Sequence, residues 1–280
     1  MAVSFAAIFI RWSDAPPLAI AAYRMGIVTI VLLPFALHRS LPEMKGLDRR
    51  QAYLMLIVGM VLAAHFFTWT TSVKLTSVAS ATILVTSHPF IVLIISHFAL
   101  KESSRIAVPG ILLGFLGVVV ISYGDIGGSS LAGDALAFAG AFFAAAYIIM
   151  GRLLRRTISL ITYVFTVYAV CAAALFAACL LVGIPLCPYP PEELVLFAAL
   201  ALVSTILGHT LFNWSLRYLP AYVISVSLLG EPVGATILAA LLLSEVPSAT
   251  VIGGGAMVLT GILMTATFRW RPSTATRDRS

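Results

Sequence analysis

Two residues with ionisable side chains lie in the middle of long apolar segments, and each is followed directly by a proline. Glu231 precedes Pro232 in one segment, and His88 precedes Pro89 in the other. An ionisable group at the depth of a bilayer is costly and marks a cavity or a partner, while a proline there frees a backbone carbonyl group. Both features suit a site that exchanges protons or binds a polar solute.

Glu231 has a functional and a structural interpretation. It is about ten residues from either end of its segment, a depth of roughly 15 Å at 1.5 Å per residue. A carboxyl group buried there without a cation would stay protonated, so Glu231 could exchange protons or bind the amine of a solute. The alternative is a structural carboxyl group that is hydrogen-bonded to a neighbouring helix at the Pro232 break.

His88 and Arg24 have similar double interpretations. Histidine titrates near neutral pH, which suits proton exchange, but a neutral ring bonded across helices is the alternative. Arg24 is the one charged residue of the apolar segment 18–37. Its side chain could extend to the membrane surface or make a structural pair; it could also hold a solute carboxylate or pair with Glu231.

Polar and aromatic residues gather in three other apolar segments. His65 and Trp69 are four residues apart, and so are His209 and Asn213, which places each pair on one helical face. Such faces could line a cavity for an amphipathic organic solute, whereas an aromatic belt at the membrane surface is the alternative for the rings. The candidates for solute or proton binding are therefore Glu231, His88, Arg24, His65, Trp69, Tyr147, His209, Asn213 and Tyr222.

The composition indicates which elements must position these residues. The chain has 280 residues, of which 61% are hydrophobic and 10% are charged, whereas about a quarter of a soluble domain is charged. Its apolar segments suit lipid, where a spanning helix needs roughly 20 apolar residues. The net charge of +6 comes from loops and the C-terminus, so we expect no nucleic-acid partner. We predict an all-α integral membrane protein.

The apolar segments predict ten transmembrane helices. The first is only about 17 Å long at 1.5 Å per residue, against a hydrocarbon core of about 30 Å. It is therefore short, or the chain is truncated at its N-terminus. The predicted spans cover residues 2–12, 18–37, 52–72, 77–100, 106–123, 134–150, 159–182, 193–216, 221–244 and 249–268.

The basic residues predict the orientation. With ten spans and a cytoplasmic N-terminus, every Arg and Lys of the loops and tail falls on the cytoplasmic side except Arg11 and Lys74. Cytoplasmic loops of membrane proteins carry such an excess of basic residues. We therefore predict a multi-pass protein of the cytoplasmic membrane with both termini in the cytoplasm.

The two halves of the chain resemble each other. A shift of 143 positions places Pro89 on Pro232 and Glu102 on Glu245, near the end of each broken helix. Because each half holds five spans, an odd number, the second half must enter the membrane inverted, as in many secondary transporters. The predicted parts are a first repeat at 1–123, a Gly-rich link at 124–133, a second repeat at 134–268 and a basic tail at 269–280.

Other sequence features predict packing rather than chemistry. Small residues let helices approach closely, which is the role predicted for Gly110, Gly114, Gly117, Gly253 and Gly261. Glu102 and Glu245 are expected to make gating or capping contacts at helix ends. The sequence contains no CxxC, GxxxxGK[ST], HExxH or GxSxG motif, so we predict no metal, no cofactor and no catalytic residue.

Two long segments resemble the EamA family of the drug/metabolite transporter superfamily. They are TSVASATILVTSHPFIVLIISHFALKE followed by GILLGFLGVVV, and AYVISVSLLGEPVGATILAALLLSE followed by GGGAMVLTGILM. The resemblance implies ten helices in two five-helix bundles and gradient-linked movement of small metabolites, often export. His88 departs from the family pattern, in which a less basic residue is common, and so does the short first helix.

The predicted function is that of a secondary active transporter, not an enzyme. It would move a small organic metabolite or drug, amino-acid-like solutes included, by alternating access, with efflux as the expected direction. The expected partners are the solute, the lipid bilayer and protons as a candidate coupling ion; a homodimer is left open. The alternatives are an integral-membrane enzyme that uses the buried His and Glu residues, and a channel.

Overall fold

All regular elements in the described part of the chain are helices, as predicted. The computed structural model describes residues 2–100, 108–124, 130–219, 221, 224, 228 and 230–267. After a 3₁₀ turn at Ala2–Ser4, the α-helices are α1 (Phe5–Trp12), α2 (Pro17–Arg39), α3 (Leu41–Lys45), α4 (Arg49–Leu75), α5 (Val78–Val85), α6 (His88–Leu100), α7 (Val108–Gly124), α8 (Ser130–Leu154), α9 (Leu160–Leu181), α10 (Pro191–Ala199), α11 (Leu211–Ser215), α12 (Gly230–Leu242) and α13 (Ala249–Thr267). A π-helix at Leu200–Thr210 joins α10 to α11.

Several helices are long and apolar enough to cross a membrane. In the described residues these segments are Pro17–Arg39, Arg49–Leu75, Leu131–Leu154, Leu160–Leu181 and Pro191–Ser215. The shorter apolar helices cover Ala2–Trp12, Val78–Val92, Leu112–Ile121, Gly230–Leu242 and Ala249–Met264. Large apolar side chains face outward from the bundle, such as Ile30 at 69% exposure and Leu241 at 75%. Such a surface needs lipid around it, so this is a multi-pass membrane protein.

The long helices begin at good N-terminal signals. Asp48 caps α4 by accepting from the backbone N–H of Gln51, whose side chain in turn accepts from the N–H of Asp48. Ser77 caps α5 and Ser159 caps α9 in the same way, each by accepting a backbone N–H three residues later. These side chains satisfy donors that a helix N-terminus leaves free, which sets where each helix starts.

The two proline-containing segments are interrupted next to their ionisable residues, His88 and Glu231. Helix α5 ends at Val85 and α6 starts at His88. Pro89 has no N–H to donate and its ring obstructs the preceding turn, which accounts for a break on its N-terminal side. In the second segment α12 starts at Gly230, one residue before Glu231. Predicted span 77–100 is therefore not a single continuous helix, and in predicted span 221–244 the described residue Leu228 lies in a turn before α12.

Helices α7 and α13 pack against each other closely and run in opposite directions. A Cβ atom added to Gly117 would lie 2.5 Å from the carbonyl oxygen of Gly254, and one added to Gly254 would lie 2.7 Å from that of Gly117. About two turns away along both helices, a Cβ atom added to Gly261 would lie 2.4 Å from the carbonyl oxygen of Gly110. Only glycine permits such backbone contact, as in other close helix pairs.

The remaining helices surround the middle of the molecule. Helix α4 packs against α8 and α9, α2 packs against α9, and α5 packs against α12. The core between them is built from buried apolar residues of α2, α4, α8 and α9, such as Met25, Leu62 and Val167. This arrangement leaves the two proline breaks facing the same central region. Residues 101–107, 125–129 and 268–280, and with them Glu102, lie outside the described residues.

Candidate functional site

A central cavity lies where α2, α4, α8, the π-helix and the starts of α6 and α12 meet. The cavity volume is about 60 Å³. It is therefore a narrow cleft, smaller than a typical small-molecule site, and it must widen to hold an organic solute. Its polar and aromatic lining includes Arg24, His65, Trp69, Thr86, His88, Tyr147, His209, Phe212, Asn213 and Glu231.

This cavity brings together eight of the nine residues that the sequence nominated for solute or proton binding. Arg24, His65, Trp69 and His88 come from the first half of the chain. The second half contributes the others, namely Tyr147, His209, Asn213 and Glu231. The ninth, Tyr222, lies outside the described residues. A single cleft thus collects polar groups from distant positions in the chain, which the one-dimensional pattern could suggest but not demonstrate.

Arg24 is buried in the bundle and does not extend to the membrane surface. Its side chain is 2% exposed, and its Nε donates to Thr205 Oγ1 at 2.7 Å. The guanidinium carbon lies 4.3 Å from the ring centroid of Phe66, a cation–π distance. Within the described residues, Nη1 of Arg24 is buried and has no hydrogen-bond partner. The cavity therefore holds a cation with one unused donor.

The π-helix positions Thr205 beneath Arg24. Thr205 Oγ1 donates to the carbonyl oxygen of Leu200 at 3.1 Å, and Thr210 Oγ1 donates to that of Thr205 at 3.2 Å. Both bonds span five residues, the spacing of a π-helix, and such segments are frequent at functional sites. The sequence analysis did not identify Thr205, because a threonine in an apolar helix carries no charge signal and the π-helix has no periodic pattern of its own.

Glu231 lies in the first turn of α12, half-buried at the edge of the cavity. Its backbone N–H donates to the carbonyl oxygen of Leu228 at 2.9 Å. Among the residues that the structure describes, no basic nitrogen lies within 4 Å of its carboxylate oxygens. The helix N-terminus favours its negative charge, whereas burial in the bundle favours its protonated form. Arg24 and Glu231 thus line one cavity without forming an ion pair.

Three histidines contribute polar ring edges to the cavity. Nδ1 of His65 lies 3.0 Å from the carbonyl oxygen of Gly140, which can only accept, so Nδ1 carries the hydrogen and Nε2 is free to accept. The His209 ring packs edge-on against Phe66 at 5.4 Å between centroids, and His88 is 4% exposed at the start of α6. No group of three metal-ligating side chains occurs in the described part of the chain.

The two tryptophans of interest lie in different environments. Trp69 is 4% exposed, and its Nε1 is buried without a hydrogen-bond partner in the described residues. It belongs to the cavity wall and not to a belt at the membrane surface. Trp214 is 48% exposed and packs against Tyr218 with ring centroids 5.0 Å apart near the end of α11. That position is typical of an interfacial aromatic residue.

A hydrogen-bonded network around Asn213 forms another part of the cavity wall. The hydroxyl oxygen of Tyr147 lies 2.9 Å from Asn213 Oδ1 and 2.7 Å from its Nδ2, which also donates to the hydroxyl of Tyr168 at 3.0 Å. Asn213 is 1% exposed and its amide is satisfied. This wall holds the rings in place and offers no net charge. Tyr168 escaped the sequence analysis because nothing distinguishes it from other tyrosines of an apolar helix.

A polar cluster, called the Glu245 cluster, closes one end of the bundle; it consists of Arg11, Ser13, Lys74, Glu193 and Glu245. Glu245 Oε1 accepts from Arg11 Nε at 2.9 Å, and its Oε2 accepts from the backbone N–H of Val78 at the start of α5 at 2.9 Å. Glu193 accepts from the backbone N–H of Asp14 and from the Ser13 hydroxyl, and Lys74 donates to the Ser13 carbonyl oxygen. The cluster joins residues from both halves of the chain.

A second cluster, called the Glu43 cluster, lies at the other end of α4; it consists of Glu43, Ser159 and Thr162. Glu43 accepts from the backbone N–H of Ser159 at 2.8 Å and from the hydroxyls of Ser159 and Thr162. Burial acts to raise the pKa of the Glu43 carboxyl, but these hydrogen bonds outweigh burial and lower that pKa below its ordinary value. Near this end, Arg155 Nε donates to the Asn213 carbonyl oxygen at 3.0 Å.

Comparisons with known proteins give a family match and a fold match. A family model described as "EamA-like transporter family" matches residues 1–123 and 131–267, nearly the whole chain. Among solved structures, 29 chains match. One of them, titled "Crystal structure of protein", has a TM-score of 0.69 and 20% sequence identity, covering 94% of this chain and 93% of that one. At this identity the likeness shows the fold alone. No curated protein sequence matches the chain.

Proposed function

Because the chain belongs to the EamA-like transporter family, we propose that it carries a small organic metabolite or drug across the bilayer through the central cavity by alternating access. The observation that carries the proposal is that charged and polar residues from both matched regions line one narrow cleft inside an apolar bundle. Members of this family are transporters and not enzymes. Efflux is the proposed direction.

The proposed architecture is ten transmembrane helices in two inverted five-helix repeats. The antiparallel packing of α7 against α13 supports it, since these helices are equivalent under the shift of 143 positions. The packing of α6 against α8, matched by that of α12 against α1, supports it as well. The proposed orientation, with both termini on the cytoplasmic side of the cytoplasmic membrane, rests on the distribution of basic residues.

Alternating access needs a closure at each end of the cavity that can open. The Glu245 and Glu43 clusters lie beyond opposite ends of α4, a helix of 27 residues and therefore about 40 Å long. We assign the Glu245 cluster to the outer closure, because α4 ends on the outer side in the proposed orientation. The cluster joins α1 and the segment after α12 to the start of α5. Opening the cavity outward would separate Arg11 from Glu245 and leave the first N–H groups of α5 to water.

Glu231 is the proposed coupling residue. The other titratable groups of the described lining are Arg24, Tyr147 and the three histidines, so a proton or a solute amine that reaches the cavity finds one carboxylate there. If the two compete for that carboxylate, release of the solute on one side and uptake of a proton on the same side become linked events. This exchange would let an inward proton gradient drive efflux.

Transport by purified protein in proteoliposomes tests the proposal. A panel of radiolabelled amino acids, nucleosides and organic cations is offered to vesicles preloaded with the unlabelled compound. Saturable uptake that is accelerated by the internal compound is expected for at least one class, because a carrier returns faster when loaded. Linear, non-saturating flux would identify a channel, and chemical conversion of a panel compound without flux would identify an enzyme.

A further inference from the structure

We infer that Arg24 and Trp69 form a subsite for a carboxylate group, so that the solute of the central cavity is a zwitterion whose amine faces Glu231. The inference rests on the proposed carrier function and assigns the chemical class of the solute. It draws on three observations: the unused donors of the two residues, the proximity of Arg24 to the Trp69 ring, and the lack of an ion pair between Arg24 and Glu231 in the described residues.

The contacts of Arg24 leave one edge of its guanidinium group for a ligand. Its Nε is engaged by Thr205, and Phe66 packs against the guanidinium group. The Nη1 atom, on the edge away from Nε, is buried without a partner in the described residues. A guanidinium fixed through Nε presents its two terminal nitrogens as a fork, which matches the two oxygens of a carboxylate.

Trp69 carries a second buried donor, and its ring lies near Arg24. The guanidinium carbon of Arg24 lies 6.0 Å from the centroid of the Trp69 ring system. The indole Nε1 can only donate, and it too is buried without a partner in the described part of the chain. Two neighbouring buried donors without an acceptor are costly unless an acceptor arrives. A carboxylate is an acceptor that could serve both.

The charges of the cavity then determine the rest of the ligand. Arg24 and Glu231 are the charged side chains of the described lining, and they do not pair with each other. A simple anion would leave the Glu231 carboxylate without a cation, and a simple cation would leave Arg24 without an anion. A molecule with a carboxylate at one end and an amine at the other satisfies both residues. Tyr147 and Phe212 then offer surfaces for its apolar part.

Matched probes test this assignment in the counterflow assay. Alanine, leucine and phenylalanine are each compared with their amide, which keeps the amine without a carboxylate, and their N-acetyl derivative, which keeps the carboxylate without an amine. Saturable counterflow is expected for one or more of the amino acids and at least tenfold less for both derivatives, because a site built for a polar group rejects analogues that lack it, by roughly tenfold or more.

Variants then assign the carboxylate end to Arg24 and Trp69. Trp69→Phe removes the indole donor but keeps an aromatic ring, and Arg24→Lys keeps the charge but loses the fork. Each should raise KM for the amino acid about tenfold with a smaller effect on the maximal rate. Arg50→Gln removes an exposed arginine outside the cavity and should change neither value. Trp69→Phe serves as the decisive variant if changes at Arg24 prevent folding.

The outcomes separate this inference from the carrier function. Counterflow of amides, organic cations or nucleosides in preference to amino acids would overturn the zwitterion assignment while the carrier function stands. So would an unchanged KM for the amino acid in Trp69→Phe and Arg24→Lys. If no compound of either panel shows saturable counterflow, the proposed carrier function fails, and the inference fails with it.

Discussion

The two proline breaks differ in the residue that each presents to the cavity. In the first half of the chain the residue before the proline is His88, a buried ring at the start of α6. In the second half it is Glu231, a carboxylate in the first turn of α12 with no cation in contact. The same backbone device therefore serves two roles: one break adds a polar edge, and the other places a charge where a ligand can reach it.

The two charged residues of the cavity lining come from different halves of the chain. The first half supplies the cation of the cavity, Arg24, and the second half supplies its anion, Glu231. The two regions that match the family model thus contribute opposite charges to the site. An exactly symmetric pair of carboxylates or imidazoles would bind a ligand equally in two inverted poses. The observed asymmetry gives a polar ligand one preferred orientation, with its negative end toward Arg24.

The largest expected effect on transport distinguishes Glu231 from His88, the residues at the two proline breaks. Glu231→Gln should lower transport about 100-fold, the cost of removing one partner of a buried charge interaction with the solute or proton. His88→Gln should change the rate less than about threefold, since glutamine can replace a neutral hydrogen-bonding ring. Both are measured as initial counterflow rates between pH 5.5 and 8. A Glu231→Gln protein that folds normally and transports like the wild type at every pH would show a structural glutamate.

The sequence predicted the membrane class and most of the cavity residues for physical reasons. Ionisable side chains are costly in lipid, so Arg24, His88 and Glu231 stand out in apolar segments. Such side chains are expected to face the interior of the helix bundle. Proline likewise marks the breaks, because it removes a helix hydrogen bond whatever the tertiary structure.

What escaped prediction depends on contacts between distant parts of the chain. Thr205 and Phe66 position the Arg24 side chain, but neither carries a charge or a spacing that sets it apart from other residues of its helix. The π-helix at Leu200–Thr210 has no periodic sequence pattern by which it could be predicted. The partner of Glu245 could not be named from sequence, because Arg11 lies 234 positions away and only the fold brings the two together.

A second comparison concerns two glycines of α13: Gly261, which contacts α7, and Gly253, which is in open space. Gly110 lies against Gly261, whereas Gly253 has no atom within 4 Å of an added Cβ. Gly261→Ala should therefore destabilise the protein by about 1–3 kcal/mol through overpacking. Gly253→Ala should instead be neutral or stabilise it by up to about 1 kcal/mol, because alanine is the better helix former. Thermal unfolding in detergent measures both, and equal effects would exclude the α7–α13 contact described above.

The smallest expected effect concerns the Glu43 cluster and depends on pH. Since hydrogen bonds hold the pKa of Glu43 below its ordinary value of 4.5, the stabilisation is present above that pH and is lost as the pH falls through the lowered pKa. Glu43→Gln should cost about 1 kcal/mol of unfolding free energy at pH 7, a typical value for such bonds. The deficit relative to the wild type should shrink as unfolding is measured at successively lower pH.

The control variant is Glu192→Gln, which replaces an exposed carboxylate in the first turn of α10 and should show no such change. A Glu43→Gln deficit that stays constant with pH would mean that the hydrogen bonds, and not the negative charge, join α3 to the start of α9.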